Sequence, residues 1–262
     1  MVDAIIGHTG FVGGNIAAQR RFHAWFHSKN IASIRGQRFG LLVISAMPAA
    51  KWLANRDPVA DHAALERLWE NLACCRADEA IIISTVDVYP TPISVDEDTF
   101  IEPTYQHAYG KHRLELERRA EEHFPKVLVV RLPALYGPGL KKNAVYDLLH
   151  GNETHKIPTE GSFQFYNLDR IWQDIETARA AALTIANFAT EPVTLREVAR
   201  QAFGFDFANP LHGLPPRYDV HTKHAALFGA QSGYLESRDE VLAGLRAFVA
   251  AERRTFPMRA AA

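Results

Sequence analysis

Three glycines close to the N-terminus constrain the fold of this chain more than any other feature. Gly7, Gly10 and Gly13 follow an apolar segment, residues 2–6, and open an amphipathic one, residues 13–22. The first glycine permits a tight turn, the second lets a pyrophosphate approach the backbone, and the third lets a helix pack closely on a strand. The spacing therefore predicts a strand, a dinucleotide-binding turn and a helix whose N-terminus stabilises phosphate charge. The residues expected to contact the dinucleotide are Gly7, Thr9, Gly10, Phe11, Val12 and Gly13.

Short apolar segments alternate with longer amphipathic ones along the next hundred residues. Strands are expected at 24–27, 39–45, 80–84 and 126–132, and helices at 58–73 and 109–122. The apolar segments lack the polar alternation of a half-exposed strand, so we expect both faces of the sheet to be covered. This order predicts an α/β fold, a Rossmann-type doubly wound parallel sheet.

The pattern loosens after residue 140. A strand at 163–166, a helix at 169–182 and a strand at 183–188 are expected, and the pairs Thr194/Glu197 and Ser237/Glu240 form capping boxes that open two more helices. We expect residues 1–140 to form the dinucleotide-binding core. Residues 141–262 are expected to complete the sheet and to form a small C-terminal substrate lobe.

Charge and cysteine content exclude several classes of protein. The 262 residues carry 29 Lys and Arg against 30 Asp and Glu, a balance that disfavours nucleic-acid binding. No apolar segment reaches the roughly 18–20 residues of a membrane span, so no membrane partner is expected. Cys74 and Cys75 are adjacent, which suits neither a disulfide framework nor a metal site. We therefore expect a cytoplasmic protein without a bound metal.

The end of the second predicted strand bears on the choice of cofactor. The acidic residue that usually binds the ribose 2′-hydroxyl is absent, and Ser28, Lys29 and Asn30 stand there instead. A hydroxyl and a cation suit a 2′-phosphate, which favours NADP over NAD. The alternative is that Ser28 and Lys29 are solvated loop residues. The segment between the first and third strands is also short, which predicts that less protein surrounds the adenine of the cofactor.

A second group of polar residues follows the strand at 80–84. Ser84, Thr85 and Asp87 lie where ligands bind in open α/β sheets, although strand-end hydroxyls can also serve only the backbone. Tyr109 and Arg113 are four residues apart on a predicted helix and so share one face. An alternative for Arg113 is a surface ion pair with Glu117.

These segments together resemble the extended short-chain dehydrogenase/reductase superfamily, in its NAD-dependent epimerase/dehydratase branch that acts on nucleotide sugars. The matching segments occur in the family's order, at 7–13, 84–89, 108–110, 131–139 and 187–197. The resemblance implies that Tyr109 is the catalytic tyrosine and that Thr85 holds the substrate oxygen. It also implies that Ser45, Ala46 and Ser84 lie beside the cofactor and that residues 131–136 lie beneath the nicotinamide.

The resemblance extends to the substrate. Lys142 and Asn143 fall where the family begins to contact the sugar-nucleotide diphosphate, and their ammonium and amide donors suit that task. Asp87 and Tyr166 are further candidates for substrate contact, with core packing as the alternative for Tyr166. A homodimer is implied by the family alone.

The chain departs from the family in two respects. The family has lysine four residues after the tyrosine, where this chain has Arg113. An arginine there can supply positive charge to Tyr109 and hydrogen bonds to the nicotinamide ribose, but it cannot readily release a proton. The length is also short for this branch, which implies a trimmed substrate lobe. We expect an NAD(P)-dependent oxidoreductase, an epimerase, dehydratase or reductase of nucleotide sugars. The alternatives are a non-catalytic NAD(P)-binding sensor or scaffold and a reductase of a small carbonyl compound.

Overall fold

A computed structural model describes residues 1–102, 104, 106–209 and 214–255 of the chain. The described residues form two compact units. Unit 1 comprises Met1–Thr91, Asp96–Leu132 and Asp169–Asn187, and unit 2 comprises Pro92–Val95, Pro133–Leu168 and the chain from Phe188 onwards.

Unit 1 is built on a six-stranded parallel sheet. Numbered in chain order through both units, its strands are β1 (Asp3–Ile6), β2 (Ala24–Phe26), β3 (Arg38–Ile44), β4 (Arg76–Thr85), β6 (Val127–Leu132) and β10 (Ile185–Asn187). Its helices are α1 (Phe11–Gln19), α2 (Lys51–Arg56), α3 (Pro58–Leu72), α4 (Ala108–His123) and α6 (Ile171–Ala180). The sheet confirms the predicted Rossmann-type α/β fold.

The strand order is β2-β1-β3-β4-β6-β10. From β1 the chain moves outward to β2 and then returns to the other side of β1 as β3, so the order reverses between β1 and β3. Ligands of open α/β sheets bind outside the carboxyl ends of strands at such a reversal. Among the residues that the structure describes, one strand lies beyond β1, whereas the usual dinucleotide-binding order has two.

Both faces of this sheet are buried. Alternate residues such as Ile44 and Ile82 pack with Leu65 of α3 and Leu116 of α4 in one apolar cluster. Their neighbours point to the opposite face, and Ile81 among them is fully buried as well. Burial on two sides explains why these strands are apolar without alternation, as the sequence predicted.

Unit 2, in the part that the structure describes, contains short strands and helical segments. The strands are β5 (Ile93–Val95), β7 (Ala134–Tyr136), β8 (Ser162–Phe163), β9 (Phe165–Asn167), β11 (Val193–Thr194) and β12 (Asp219–Val220), paired as β5–β12, β7–β9 and β8–β11. The helices are α5 (Ala144–His150), α7 (Leu195–Val198) with a π-helical continuation at Ala199–Phe203, and α8 (Arg238–Thr255).

Helix ends in unit 2 follow the sequence signals. Thr194 and Glu197 form a reciprocal capping box at the start of α7. Ser237 and Glu240 bond in the same reciprocal way at the start of α8. Both predicted capping boxes are confirmed. Within the described part of the chain, no helix combines the length and apolar character that a membrane crossing requires.

Candidate active site

The glycine turn has no room for larger residues. Gly7 has φ +89°, and a Cβ there would lie 2.0 Å from the carbonyl oxygen of Ser45. A Cβ at Gly13 would lie 2.2 Å from the carbonyl oxygen of Gly7. Gly10 is the N-cap of α1 and provides no side-chain cap, so the N–H groups of the first helical turn can meet an anion. Thr9 and Gly10 are exposed. This cradle, which only glycines fit, suits a dinucleotide pyrophosphate.

The residues after β2 divide into exposed and structural ones. Ser28 and Lys29 are exposed at the carboxyl end of this strand. Asn30 instead shapes the turn, because its side-chain oxygen accepts the His27 N–H at 2.7 Å and its Nδ2 donates to the Trp25 carbonyl at 3.0 Å. The Asn30 side-chain amide is thus used within the turn, and contact of Asn30 with the cofactor stays a prediction.

Thr85 and Tyr109 come together at the carboxyl end of β4. Thr85 is the last residue of this strand, and its Oγ1 accepts the Asp87 N–H at 3.1 Å. Tyr109 is the second residue of α4, and the nearby Thr85 side chain acts to lower the pKa of its phenol, the smallest of the effects on that group. The strand is parallel to β1, so this pair lies on the edge of the sheet that also carries the glycine turn.

His107 and Gly110 fix the start of α4, and neither was predicted as a site residue. A Cβ at Gly110 would lie 2.1 Å from the Asp87 carbonyl oxygen, so the first turn of α4 rests directly on the short 3-10 turn Val86–Val88. His107 is the N-cap, and its Nδ1 accepts the Gly110 N–H at 3.1 Å. A glycine directly after a candidate catalytic tyrosine was the available signal for this close approach.

Arg113 is buried in an ion pair. Its Nη1 lies 2.5 Å from Asp61 Oδ2 and its Nη2 lies 3.0 Å from Asp61 Oδ1. The same nitrogens donate to the carbonyl oxygens of Tyr109 and Pro48. The guanidinium carbon lies 3.9 Å from the centre of the Tyr109 ring. The alternative of a surface pair with Glu117 is wrong, because Asp61, on α3, is the partner and Arg113 is 4% exposed.

Glu117 belongs to a separate buried network. Its carboxylate accepts from Arg131 at 2.7 Å and from the Ser84 hydroxyl, and Arg131 donates to the Tyr89 hydroxyl at 2.9 Å. Tyr89 in turn contacts the side-chain amide of Asn187. Ser84 was expected beside the cofactor, but its hydroxyl points to Glu117, on the face opposite to that of Thr85. The Ser84 hydroxyl thus belongs to this buried network, and contact of Ser84 with the cofactor stays a prediction.

Helix α2 supplies two further polar groups near Tyr109, and neither is marked by a recognisable motif in the sequence. Lys51 Nζ lies 2.6 Å from Asp87 Oδ1. Asn55, one helical turn later, accepts the Tyr109 N–H at 3.0 Å. These contacts fix α2 against both the turn after β4 and the first turn of α4.

The electrostatic surroundings keep Tyr109 protonated. Burial raises the pKa of Tyr109 above its ordinary value and exceeds the opposing effects of the Arg113 and Lys51 charges. The Asp87 charge raises this pKa further. Burial lowers the pKa of His107, and Lys51 acts in the same direction. At neutral pH the free protein thus presents a phenol next to a neutral imidazole.

The substrate candidates in unit 2 separate into one exposed and two structural residues. Lys142 is exposed, although partial burial lowers the pKa of its ammonium. Asn143 has φ 122° and caps α5, with Oδ1 accepting from Val145 and Tyr146 and Nδ2 donating to Leu135. Tyr166 is fully buried. The Asn143 amide thus serves as a helix cap, the Tyr166 ring lies in the core as the alternative for it expected, and substrate contact by Asn143 stays a prediction.

A group of potential metal ligands lies on α3 and α4. Side-chain atoms of His62, Glu66 and Glu115 lie within 4.8 Å of one another. Arg119 already bonds both carboxylates, at 2.6 and 2.5 Å. A cation therefore already occupies this position, and we assign no metal to it.

This chain resembles solved protein structures in its fold. No protein-family model and no curated protein matches the sequence. A UDP-glucose 4-epimerase from Thermotoga maritima, solved with UDP-glucose, has a TM-score of 0.72 at 17% identity, over 97% of this chain and 99% of that chain. TunA, an NAD-dependent NDP-hexosamine 5,6-dehydratase of tunicamycin biosynthesis, has a TM-score of 0.74 at 16% identity, over 97% and 98%. RMD from Pseudomonas aeruginosa, solved with NADPH, has a TM-score of 0.70 at 16% identity, over 96% and 100%.

These similarities cover nearly the whole chain, and at such low identity they establish the fold. The chain has the Rossmann-type α/β fold of these three structures.

Proposed function

We propose that this protein is an NAD(P)-dependent oxidoreductase that transfers hydride to or from a nucleotide sugar, as an epimerase, dehydratase or reductase. The observation that supports this most directly is the placement of Thr85, at the end of β4, near the Tyr109 phenol on the sheet edge that carries the glycine turn. A phenol and a hydroxyl held together can share one substrate oxygen. The alternative, a sensor or scaffold, needs no such pair.

The cofactor is held by the turn between β1 and α1 and by Ser45 and Ala46 at the end of β3. Positions 7 and 13 admit only glycine, which lets the pyrophosphate lie against the backbone. Ser28 and Lys29 are exposed where a 2′-phosphate would lie, which favours NADP over NAD. When bound, the nicotinamide supplies the hydride acceptor or donor.

Tyr109 moves the proton of the substrate hydroxyl, and Thr85 holds the same oxygen in place. As a phenol, Tyr109 protonates an alkoxide formed by reduction. As a phenolate, it removes the hydroxyl proton before oxidation. Arg113 is a positioning residue, because its charge lowers the pKa of Tyr109 while its terminal nitrogens bond to protein oxygens.

A nucleotide sugar is the proposed substrate class because the Thermotoga maritima structure of the same fold holds UDP-glucose. Lys142 is the remaining candidate for the diphosphate, and Asp87 for the sugar. We further propose a cytoplasmic enzyme that forms a homodimer.

Two measurements test this function. Mass spectrometry of nucleotide released on denaturation identifies the cofactor, and turnover on UDP-, dTDP- and GDP-sugars identifies the activity.

Tyr109→Phe is expected to lower kcat by about 100-fold or more, because it removes the acid–base group. Tyr146→Phe, on α5, is the matched control and should retain kcat. Unchanged turnover in Tyr109→Phe would refute the assignment, and tight NADPH binding without any turnover would favour the sensor.

A further inference from the structure

Helix α4, which carries Tyr109, has a histidine as its capping residue. Serine, threonine, aspartate and asparagine are the usual residues at a helix N-cap, because a short side-chain oxygen accepts an N–H group of the first turn. In this chain the acceptor is a ring nitrogen, Nδ1 of His107, which takes the Gly110 N–H at 3.1 Å. Only a neutral imidazole offers such an acceptor, since both ring nitrogens of an imidazolium are donors.

The cap holds the turn in which Tyr109 stands. The N–H groups of a first helical turn have no partner within the helix and depend on other acceptors. Asn55 accepts the Tyr109 N–H at 3.0 Å, and His107 accepts the next one, that of Gly110. The His107 ring also packs on Gly110, because a Cβ there would lie 3.3 Å from His107 Cε1. Gly110 is buried, so loss of this acceptor would leave its N–H without a replacement from solvent.

The surroundings of His107 favour the neutral, capping form near neutral pH. Burial lowers the pKa of His107, and the charges of Lys51 on α2 and Arg113 on α4 lower it as well. The Asp87 charge, on the turn after β4, acts in the opposite direction. Tyr109, whose ring centre lies 6.4 Å from that of His107, carries no charge in this pH range because burial raises the pKa of its phenol. The positive end of the helix dipole further disfavours an imidazolium at this position.

We propose that His107 is a positioning residue for Tyr109 and that its protonation makes the site sensitive to pH. As a neutral imidazole, His107 caps α4 and holds the turn that carries the phenol. As an imidazolium, it turns an N–H towards the Gly110 N–H and a positive charge towards the helix N-terminus, so the cap is lost and the first turn loosens. Because the pKa of His107 in the folded protein lies below its ordinary value, the capping contribution is complete above about pH 6.5 and is lost as pH falls through the folded-state pKa.

This role of His107 deepens the proposed function and rests on it for any effect on turnover, because the residue that the cap holds is the proposed acid–base group. The cap itself exists in the free protein. It can therefore be measured there without cofactor or substrate.

Amide hydrogen exchange at Gly110 tests the cap directly. NMR gives the exchange rate from about pH 8 to about pH 5, and division by the intrinsic rate at each pH gives the protection of this amide. The Cε1 proton of His107 reports the titration of the ring in the same samples. We expect the protection of Gly110 to fall by about five- to tenfold as His107 titrates, which is the effect of losing one capping bond.

Three variants separate the cap from its titration. His107→Asn should keep the protection of Gly110 from about pH 8 to about pH 5, because asparagine caps helices and does not titrate. His107→Ala should have low protection at every pH. His62→Asn, the matched control, removes another imidazole, on α3, and should keep the native pH dependence. The Val145 amide, which is capped by Asn143 at the start of α5, is an internal control whose protection should not depend on pH.

Three results would overturn the inference and leave the proposed function standing. The first is the same pH dependence of Gly110 protection in the native protein and in His107→Asn. The second is a protection that stays constant while His107 titrates, and the third is a His107 ring that stays neutral down to about pH 5.

Turnover provides a second measurement of the same switch. The fall of kcat/KM on the acidic side should follow the titration of His107 in the native enzyme and should be absent at that pH in His107→Asn. An identical acid-side fall in the two proteins would overturn the positioning of Tyr109 by this cap. Retained turnover in Tyr109→Phe would overturn the proposed function and leave the measured cap standing.

Discussion

Asp61→Asn isolates the buried ion pair behind the candidate catalytic tyrosine. Asp61 is 6% exposed and Arg113 is 4% exposed. The substitution keeps the size of the side chain and removes its charge. It leaves the guanidinium buried next to a neutral amide and takes the carboxylate away from His112, whose Nδ1 lies 2.7 Å from Asp61 Oδ2.

The expected loss of unfolding free energy is about 3–5 kcal/mol, the range found when one partner of a buried pair is removed. Most of it is the cost of an uncompensated buried charge.

The loss of unfolding free energy should depend on pH in a defined direction. Burial raises the pKa of Asp61, but bonds and charges from Arg113 and His112 lower it by more, so its pKa lies below the ordinary value. The difference in unfolding free energy between the native protein and Asp61→Asn is therefore complete above about pH 5 and shrinks as pH falls below about 4.

Urea unfolding followed by tryptophan fluorescence measures this loss. All four tryptophans, Trp25, Trp52, Trp69 and Trp172, belong to unit 1, so the signal reports on the unit that contains the pair. Asp78→Asn is the matched control, because Asp78 pairs with an exposed arginine, Arg38, in the same unit and should cost less than about 1 kcal/mol.

Two results would refute this reasoning. A loss no larger than that of Asp78→Asn would mean that water reaches the pair and screens it. A gap between native and variant protein that widens below pH 4 would mean that the carboxyl pKa is not depressed in the folded state.

Two further predictions concern the cofactor. Gly13→Ala should abolish dinucleotide binding in a calorimetric titration, because its Cβ would lie 2.2 Å from the Gly7 carbonyl. Gly36→Ala is the control for general backbone strain, since Gly36 has φ +75° and a Cβ there meets nothing within 4 Å. Equal affinity in both variants would contradict the prediction. Lys29→Ala should weaken the binding of NADPH by about tenfold, the equivalent of one charge-assisted contact of about 1.4 kcal/mol, and leave the binding of NADH unchanged. An equal effect on both affinities would mean that Lys29 does not contact the 2′-phosphate.

The sheet of unit 1 could be predicted because burial on two faces leaves a continuous apolar trace in the sequence. This apolar pattern does not mark the true start of a strand that begins with charged residues. The prediction began the fourth strand at Ala80, whereas β4 begins at Arg76 and carries Glu79, whose carboxylate pairs with Arg179 of α6. That partner is 100 residues away, so the local pattern holds no sign of it.

The candidate site shows the same limit. Thr85 and Tyr109 could be found because they stand in recognisable local segments. The role of Arg113 could not, because Asp61 lies 52 residues earlier and only the packing of α3 on α4 brings them together. Lys51 stands 36 residues before Asp87, on a six-residue helix without a side-chain cap. Conversely, Asn143 was expected to bind substrate because an amide suits a diphosphate, but the same amide suits a helix cap.

The single strand beyond β1 has a consequence for the lifetime of the bound cofactor. The usual dinucleotide-binding sheet has two strands there, and β2 alone, three residues long, leaves less protein to cover the adenosine half. Affinity differences between related complexes arise mostly in the dissociation rate, so fewer contacts mean a shorter residence time. A dinucleotide that leaves quickly suits an enzyme that exchanges oxidised for reduced cofactor on every turnover, whereas one that regenerates its own cofactor gains from slow release. Stopped-flow dissociation of NADPH would therefore distinguish a reductase from an epimerase before any sugar is identified.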